Sequence, residues 1–162
     1  WSVYHKGLNG GSNPEGYGAQ LNTNAAEAAS SSRWGNTAPT STYFFAGGNT
    51  GTNNSNSTYI AMLFASVDGI SKCGYYTGTG VSGKSETTGF TPRMILIKRS
   101  DSTSNWNMWD SVRGWSNGLY LNDVDSNQNI PWVSTTATGF TLPTTNVNVN
   151  ASGGKYIYYA HA

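Results

Sequence analysis

The sequence predicts an all-β protein, and three observations carry that expectation. Gly, Ser, Thr and Asn fill 77 of the 162 positions, and these types favour turns, caps and loops over helix. Aromatic residues make up 13% of the chain and charged residues only 10%, with a formal net charge of +1. Disordered chains show the opposite bias, so this one folds. The apolar runs are short and bracketed by turn residues, as strands are.

The runs justify themselves in turn. Met94-Ile95-Leu96-Ile97, between Thr91-Pro92-Arg93 and Lys98-Arg99-Ser100-Asp101, reads as a strand buried on both faces. Residues 59–65 and 156–162 read as two more strands. Trp106-Asn107-Met108-Trp109 and Trp1-Ser2-Val3-Tyr4 alternate large and polar residues in strand fashion. Ala25-Ala26-Glu27-Ala28-Ala29 is the helix-friendly stretch, with room for one turn at most. Asn117-Gly118 reads as a tight hairpin turn, with Trp115 close to it.

The chain also repeats itself. Residues 58–65 align with 155–162, Trp34 with Trp132, Leu21-Asn22 with Leu121-Asn122, and Trp1-Ser2-Val3-Tyr4 with Trp106-Asn107-Met108-Trp109. The expected architecture is two related antiparallel β-sandwich units, residues 1–69 and residues 70–162. The first lacks its N-terminal strands, because nothing in it corresponds to residues 89–97. Unpaired strand edges and exposed apolar surface demand a cover. Three covers are open: a preceding segment in cis, a neighbouring chain in trans, or one Met94–Ile97 strand shared by both halves. The chain opens on Trp1 with no signal-peptide pattern, as expected of a processed product or a piece of something longer.

Composition excludes several classes. Nine basic residues against eight acidic ones leave no electrostatic footprint for nucleic acid. No run of eighteen apolar residues spans a membrane. A single cysteine, Cys73, forms no internal disulfide. Catalysis has little to work with. His5 and His161 are the only histidines, no Gly-x-Ser-x-Gly elbow occurs, and Glu15, Glu27 and Glu86 lie unpaired in polar contexts. No enzyme activity and no cofactor are expected.

Binding candidates cluster after Trp115. An aromatic face next to a turn offers a sugar ring an apolar platform, and Asn117 with Asp123, Asp125 and Asn127 would supply directional hydrogen bonds. The alternating oxygens of Asp123, Asp125 and Asn127 also resemble the start of a calcium loop. Ser126, Gln128 and Ser134 depart from that pattern, and a solvated turn is the plainer reading. Glycosylation sequons begin at Asn53, Asn56 and Asn150.

These motifs carry a resemblance. WSVYHKGLNGG, RWGNTAPTSTYFF, TYIAMLFA, GYYTGTG, GFTPRMILIKRSDSTSNW and ASGGKYIYYAHA resemble a repeated domain of unknown function in phage tail-fibre and virion-associated proteins. The resemblance implies lectin or laminin-G-like jelly-roll units. It implies a non-enzymatic structural or adhesive subunit of an extracellular fibre or virion appendage, exposed on the virion or outside the cell. The gap in the first unit adds an expected mode of assembly, a homo-oligomer or helical filament built by strand complementation. The alternative is a carbohydrate-binding receptor-recognition module directed at a cell-surface glycan.

Overall fold

A computed structural model describes residues 1–125 and 127–162. Within them the strands are β1 (Ser2–Val3), β2 (Tyr17–Gln20), β3 (Ala28–Ala29), β4 (Ser71–Thr77), β5 (Lys84–Thr87) and β6 (Met94–Arg99). They continue as β7 (Trp106–Asp110), β8 (Asn117–Tyr120), β9 (Gln128–Asn129), β10 (Ser134–Thr136), β11 (Gly139–Leu142) and β12 (Lys155–His161). One short helix, α1 (Val147–Asn150), precedes the last strand, its first turn capped where Asn146 Oδ1 accepts the Asn148 N–H at 2.9 Å. The protein is all-β, and its sheets are antiparallel.

The apolar Met94 run occupies the position its composition demands. β6 is an inner strand of a six-stranded sheet, order β4-β12-β6-β7-β8-β9, with β12 on one edge and β7 on the other. Alternation along β6 divides its side chains between two faces. Ile95 and Ile97 point into the main core with Trp109 of β7 and Tyr156 and Tyr158 of β12. A second, three-stranded sheet, β10-β11-β5, closes that core from the other side with Phe140 and Leu142. Burying each such side chain stabilises the fold by about 1.5–3 kcal/mol.

The opposite face of the six-stranded sheet is covered by the N-terminal third. β1, β2 and β3 form their own sheet, and Leu8 and Ala19 pack against Trp106 and Ile157. Polar contacts fix this layer. Trp106 Nε1 donates to the Gln20 carbonyl at 2.9 Å. Lys98, fully buried beneath it, donates from Nζ to the carbonyls of Arg99 at 2.6 Å and Asn24 at 3.4 Å. Burial pulls the Lys98 pKa down to about 8.

The ladders of residues 1–29 reproduce those of residues 106–129 pair for pair. Ser2 faces Gln20 and Val3 faces Ala19, as Asn107 faces Tyr120 and Met108 faces Leu119. Tyr17 faces Ala29 and Gly18 faces Ala28, as Asn117 faces Asn129 and Gly118 faces Gln128. Asn22 Oδ1 accepts the Trp1 amine at 2.8 Å, and Asn122 Oδ1 accepts the Trp106 N–H at 2.7 Å. Tyr4 meets Trp34 edge to face at 5.9 Å, and Trp109 meets Trp132 at 6.3 Å in the same arrangement.

The structure departs from the sequence reading in several elements. Ala28-Ala29 is a strand rather than part of a helical turn, because pairing with Tyr17 and Gly18 supplies the hydrogen bonds five residues cannot generate alone. Asn117-Gly118 lies inside β8, and the chain reverses earlier, where Asp110 Oδ1 accepts the N–H groups of Val112 and Arg113. The polar stretch Lys84–Thr87, which carries no apolar run, is strand β5, and Lys84 and Glu86 pair there at 2.9 Å in the edge of the second sheet. Residues 58–65 join no ladder.

Candidate functional site

Residues 58–65 form one wall of a cleft of about 1770 Å³. Residues 1–6 form the opposite wall. Met94, Leu96, Met108 and Tyr159, on the outer face of the six-stranded sheet, line its floor. Trp34 and residues 39–46 close the far side. The lining is overwhelmingly apolar.

Backbone without ladder partners lines both walls. β1 is the edge strand of its sheet and, among the described residues, pairs only with β2. Among the described residues, no backbone N–H from Thr58 to Ala65 donates a hydrogen bond. The segment is held at its ends instead. Ser71 Oγ donates to the Ala65 carbonyl at 2.7 Å, and the Phe64 ring packs edge-on against Tyr159 at 5.0 Å. At the other end Tyr59 Oη donates to the Thr50 carbonyl at 2.9 Å. Between these anchors Ile60 is 80% exposed and Leu63 73%. Exposed aliphatics in such a row mark a surface that something covers.

His5 and Cys73 border the cleft, and burial shifts both. His5 Nδ1 accepts the Gly7 N–H at 2.9 Å, which leaves Nε2 as the donor to the Tyr158 carbonyl at 3.2 Å. Burial pulls the His5 pKa down to about 4, so the ring is neutral at physiological pH. Burial also raises the pKa of the Cys73 thiol, so it is no activated nucleophile. His161 contacts Tyr159 Oη at 3.0 Å through Nδ1.

The residues singled out from sequence lie elsewhere. Trp115 is half-buried and packs against the main core. Asn117 is exposed, its Nδ2 donating to the Arg113 carbonyl at 2.8 Å. Asp123, Asp125 and Asn127 are exposed, and Asp123 Oδ1 accepts the adjacent Val124 N–H at 2.8 Å. Ser126, between the calcium-loop candidates, lies outside the described residues. Among the described residues no three His, Cys, Asp or Glu side chains converge on a point where a metal ion could sit.

Of the sequons, Asn53 and Asn56 are exposed. Asn150 is a correction. It is fully buried, its Nδ2 donates to the carbonyls of Val81 and Thr144, and its Oδ1 accepts the Thr79 N–H at 2.9 Å, so no glycan can attach to it. Trp1 is 61% exposed, whereas its counterpart Trp106 is buried beneath β2. The sequence reads residues 59–65 as a strand, whereas in the structure they join no ladder and line an open cleft. The available signal was a run apolar on both faces with no matching partner in its own half.

The fold and the cleft define a sandwich-like all-β protein with an open apolar cleft. The chain belongs to the family described as domain of unknown function (DUF7483), whose model matches residues 1–162. No curated protein and no solved structure matches it. No helix among the described residues is long and apolar enough to cross a membrane.

Proposed function

We propose that this chain is a non-enzymatic structural or adhesive subunit of an extracellular fibre or virion appendage. In this reading residues 1–69 form an incomplete β-sandwich unit that a neighbouring chain completes by strand addition. The observation that carries it is the cleft, an apolar hollow lined by the edge strand β1 and by residues 58–65, whose backbone N–H groups donate no hydrogen bond among the described residues. The matching ladders of residues 1–29 and 106–129 support the division into two related units. The low charge and the resemblance to tail-fibre repeats support the fibre setting.

Strand addition supplies main-chain hydrogen bonds for affinity and side-chain pockets for specificity. When donor and acceptor surfaces differ, the contact is heterologous and propagates unless its rotation closes. Sedimentation and electron microscopy at rising protein concentration test the reading. Elongated, concentration-dependent particles are expected. A monodisperse 17.3 kDa species at every concentration overturns it.

A further inference from the structure

We infer that the cleft is a slot for one antiparallel β-strand with the side-chain pattern of Met94–Arg99, donated by a partner chain in which that strand is unpaired. The inference deepens the reading above and rests on it only in taking residues 1–69 as an incomplete unit. Its warrant is internal to the molecule. In residues 70–162 the strand equivalent to 58–65 is β12, and the strand equivalent to β1 is β7. The strand seated between β12 and β7 is β6, antiparallel to both. The chain therefore contains a filled copy of the slot that stands open in its first half.

The filled copy fixes direction and register. Ile95 sits opposite Trp109 and Ala160, Leu96 opposite Met108 and Tyr159, and Ile97 opposite Asn107 and Tyr158. By the repeat, a donor's Ile95 equivalent lies between Tyr4 and Leu63. Its Leu96 equivalent lies between Val3 and Met62, and its Ile97 equivalent between Ser2 and Ala61. The Leu96 equivalent then faces the cleft floor of Leu96, Met108 and Tyr159. Its neighbours on the strand face Trp34 and residues 43–45. Both faces of the donor meet apolar surface, which a strand alternating polar and apolar residues cannot satisfy.

This chain's own β6 and β12 are each paired on both edges, so a second copy donates neither without unfolding its own sheet.

The test uses a labelled synthetic peptide with the sequence of residues 91–101, titrated into the full chain by fluorescence anisotropy, with hydrogen exchange on the complex. Saturable binding is expected, with new protection at the amides of residues 58–65 and 2–5. Peptides carrying Ile95→Asp with Ile97→Asp, or Leu96→Asp alone, should each bind at least tenfold more weakly, one probing each face. Leu63→Asp in the protein should weaken binding similarly while leaving Tm unchanged, because the side chain is exposed.

Absence of saturable binding, or binding without protection at residues 58–65, overturns the slot. Protection of those amides on concentrating the protein alone means that a second copy fills the cleft. That result overturns the donor chemistry and leaves the fibre reading standing. Peptide binding by a chain that never forms elongated particles does the reverse.

Discussion

Gly118 and Gly18 occupy the same ladder position in the two halves, and neither has room for a side chain. A Cβ at Gly118 would overlap Ile130 Cδ1 and stand 3.0 Å from Trp109 Nε1. A Cβ at Gly18 would overlap the Arg33 guanidinium group. Gly118→Ala must push Ile130 off Trp109, and Trp109 Nε1 donates to the Ile130 carbonyl at 2.9 Å. The expected cost is about 1–3 kcal/mol by chemical denaturation; an unchanged midpoint would show that Ile130 yields freely. His5 gives a pH dependence. An unfolded histidine titrates near 6.5, and in the folded chain His5 titrates near 4. The unfolded state therefore binds more protons between those values. Stability from neutral His5 is complete above about pH 6.5 and declines as pH falls toward 4, by on the order of 2 kcal/mol. Denaturation series at pH 7 and pH 4.5 check this, and His5→Gln should flatten the slope. The sequence showed His5 as a bland strand-end residue, and its partner Tyr158 lies 153 positions away, a separation no local pattern announces.

At the scale of elements, β6 was legible because a short apolar run bracketed by turn chemistry has few other homes. Ile97→Ala should cost about 2–5 kcal/mol, and Ile95→Asp should prevent folding, because a charge at a position of 0% exposure has no partner. Variants as heat-stable as the parent would show that β6 is not central. β12 and β7 were legible for the same reason. β4 and β5 were not, since Ser71–Thr77 and Lys84–Thr87 carry mixed residues whose strand state is imposed by β12 and β11. α1 was hidden in Val-Asn-Val-Asn, weak helix formers fixed by the Asn146 cap and by burial of Val149 and Asn150. Residues 58–65 mark the opposite failure. Their composition says buried strand, and among the described residues no strand pairs with them.

For the whole molecule, the exposed row between Tyr59 and Phe64 offers a test of the proposed slot. Replacing Ile60 and Leu63 together by Lys puts two like charges on a surface that already faces water. Binding of the residue 91–101 peptide should fall sharply, with Tm within a degree or two of the parent. Peptide binding that persists would place the slot elsewhere. The spacing of Trp and Leu-Asn pointed to a repeat, and the strand pairings of residues 2–29 and 107–129 match along that spacing. The back-to-back packing of the N-terminal sheet on the outer face of β6, β7 and β12 was not, because it depends on which face of Trp106 and Ile157 meets Leu8 and Ala19. The glycan and calcium candidates came from local spacing alone, and among the described residues no three His, Cys, Asp or Glu side chains come together where a metal ion could sit.

Cys73, the chain's single cysteine, lies on β4 with its Sγ 3.7 Å from the Phe64 carbonyl and its backbone N–H on Ser66 Oγ. The wall of the cleft therefore rests on a native chemical reporter that needs no engineering. Alkylation kinetics at this one sulfur would read how often residues 64–66 lift away. Any occupant that stiffens the wall should slow that clock, which turns a half-covered thiol into a measure of the cleft's breathing.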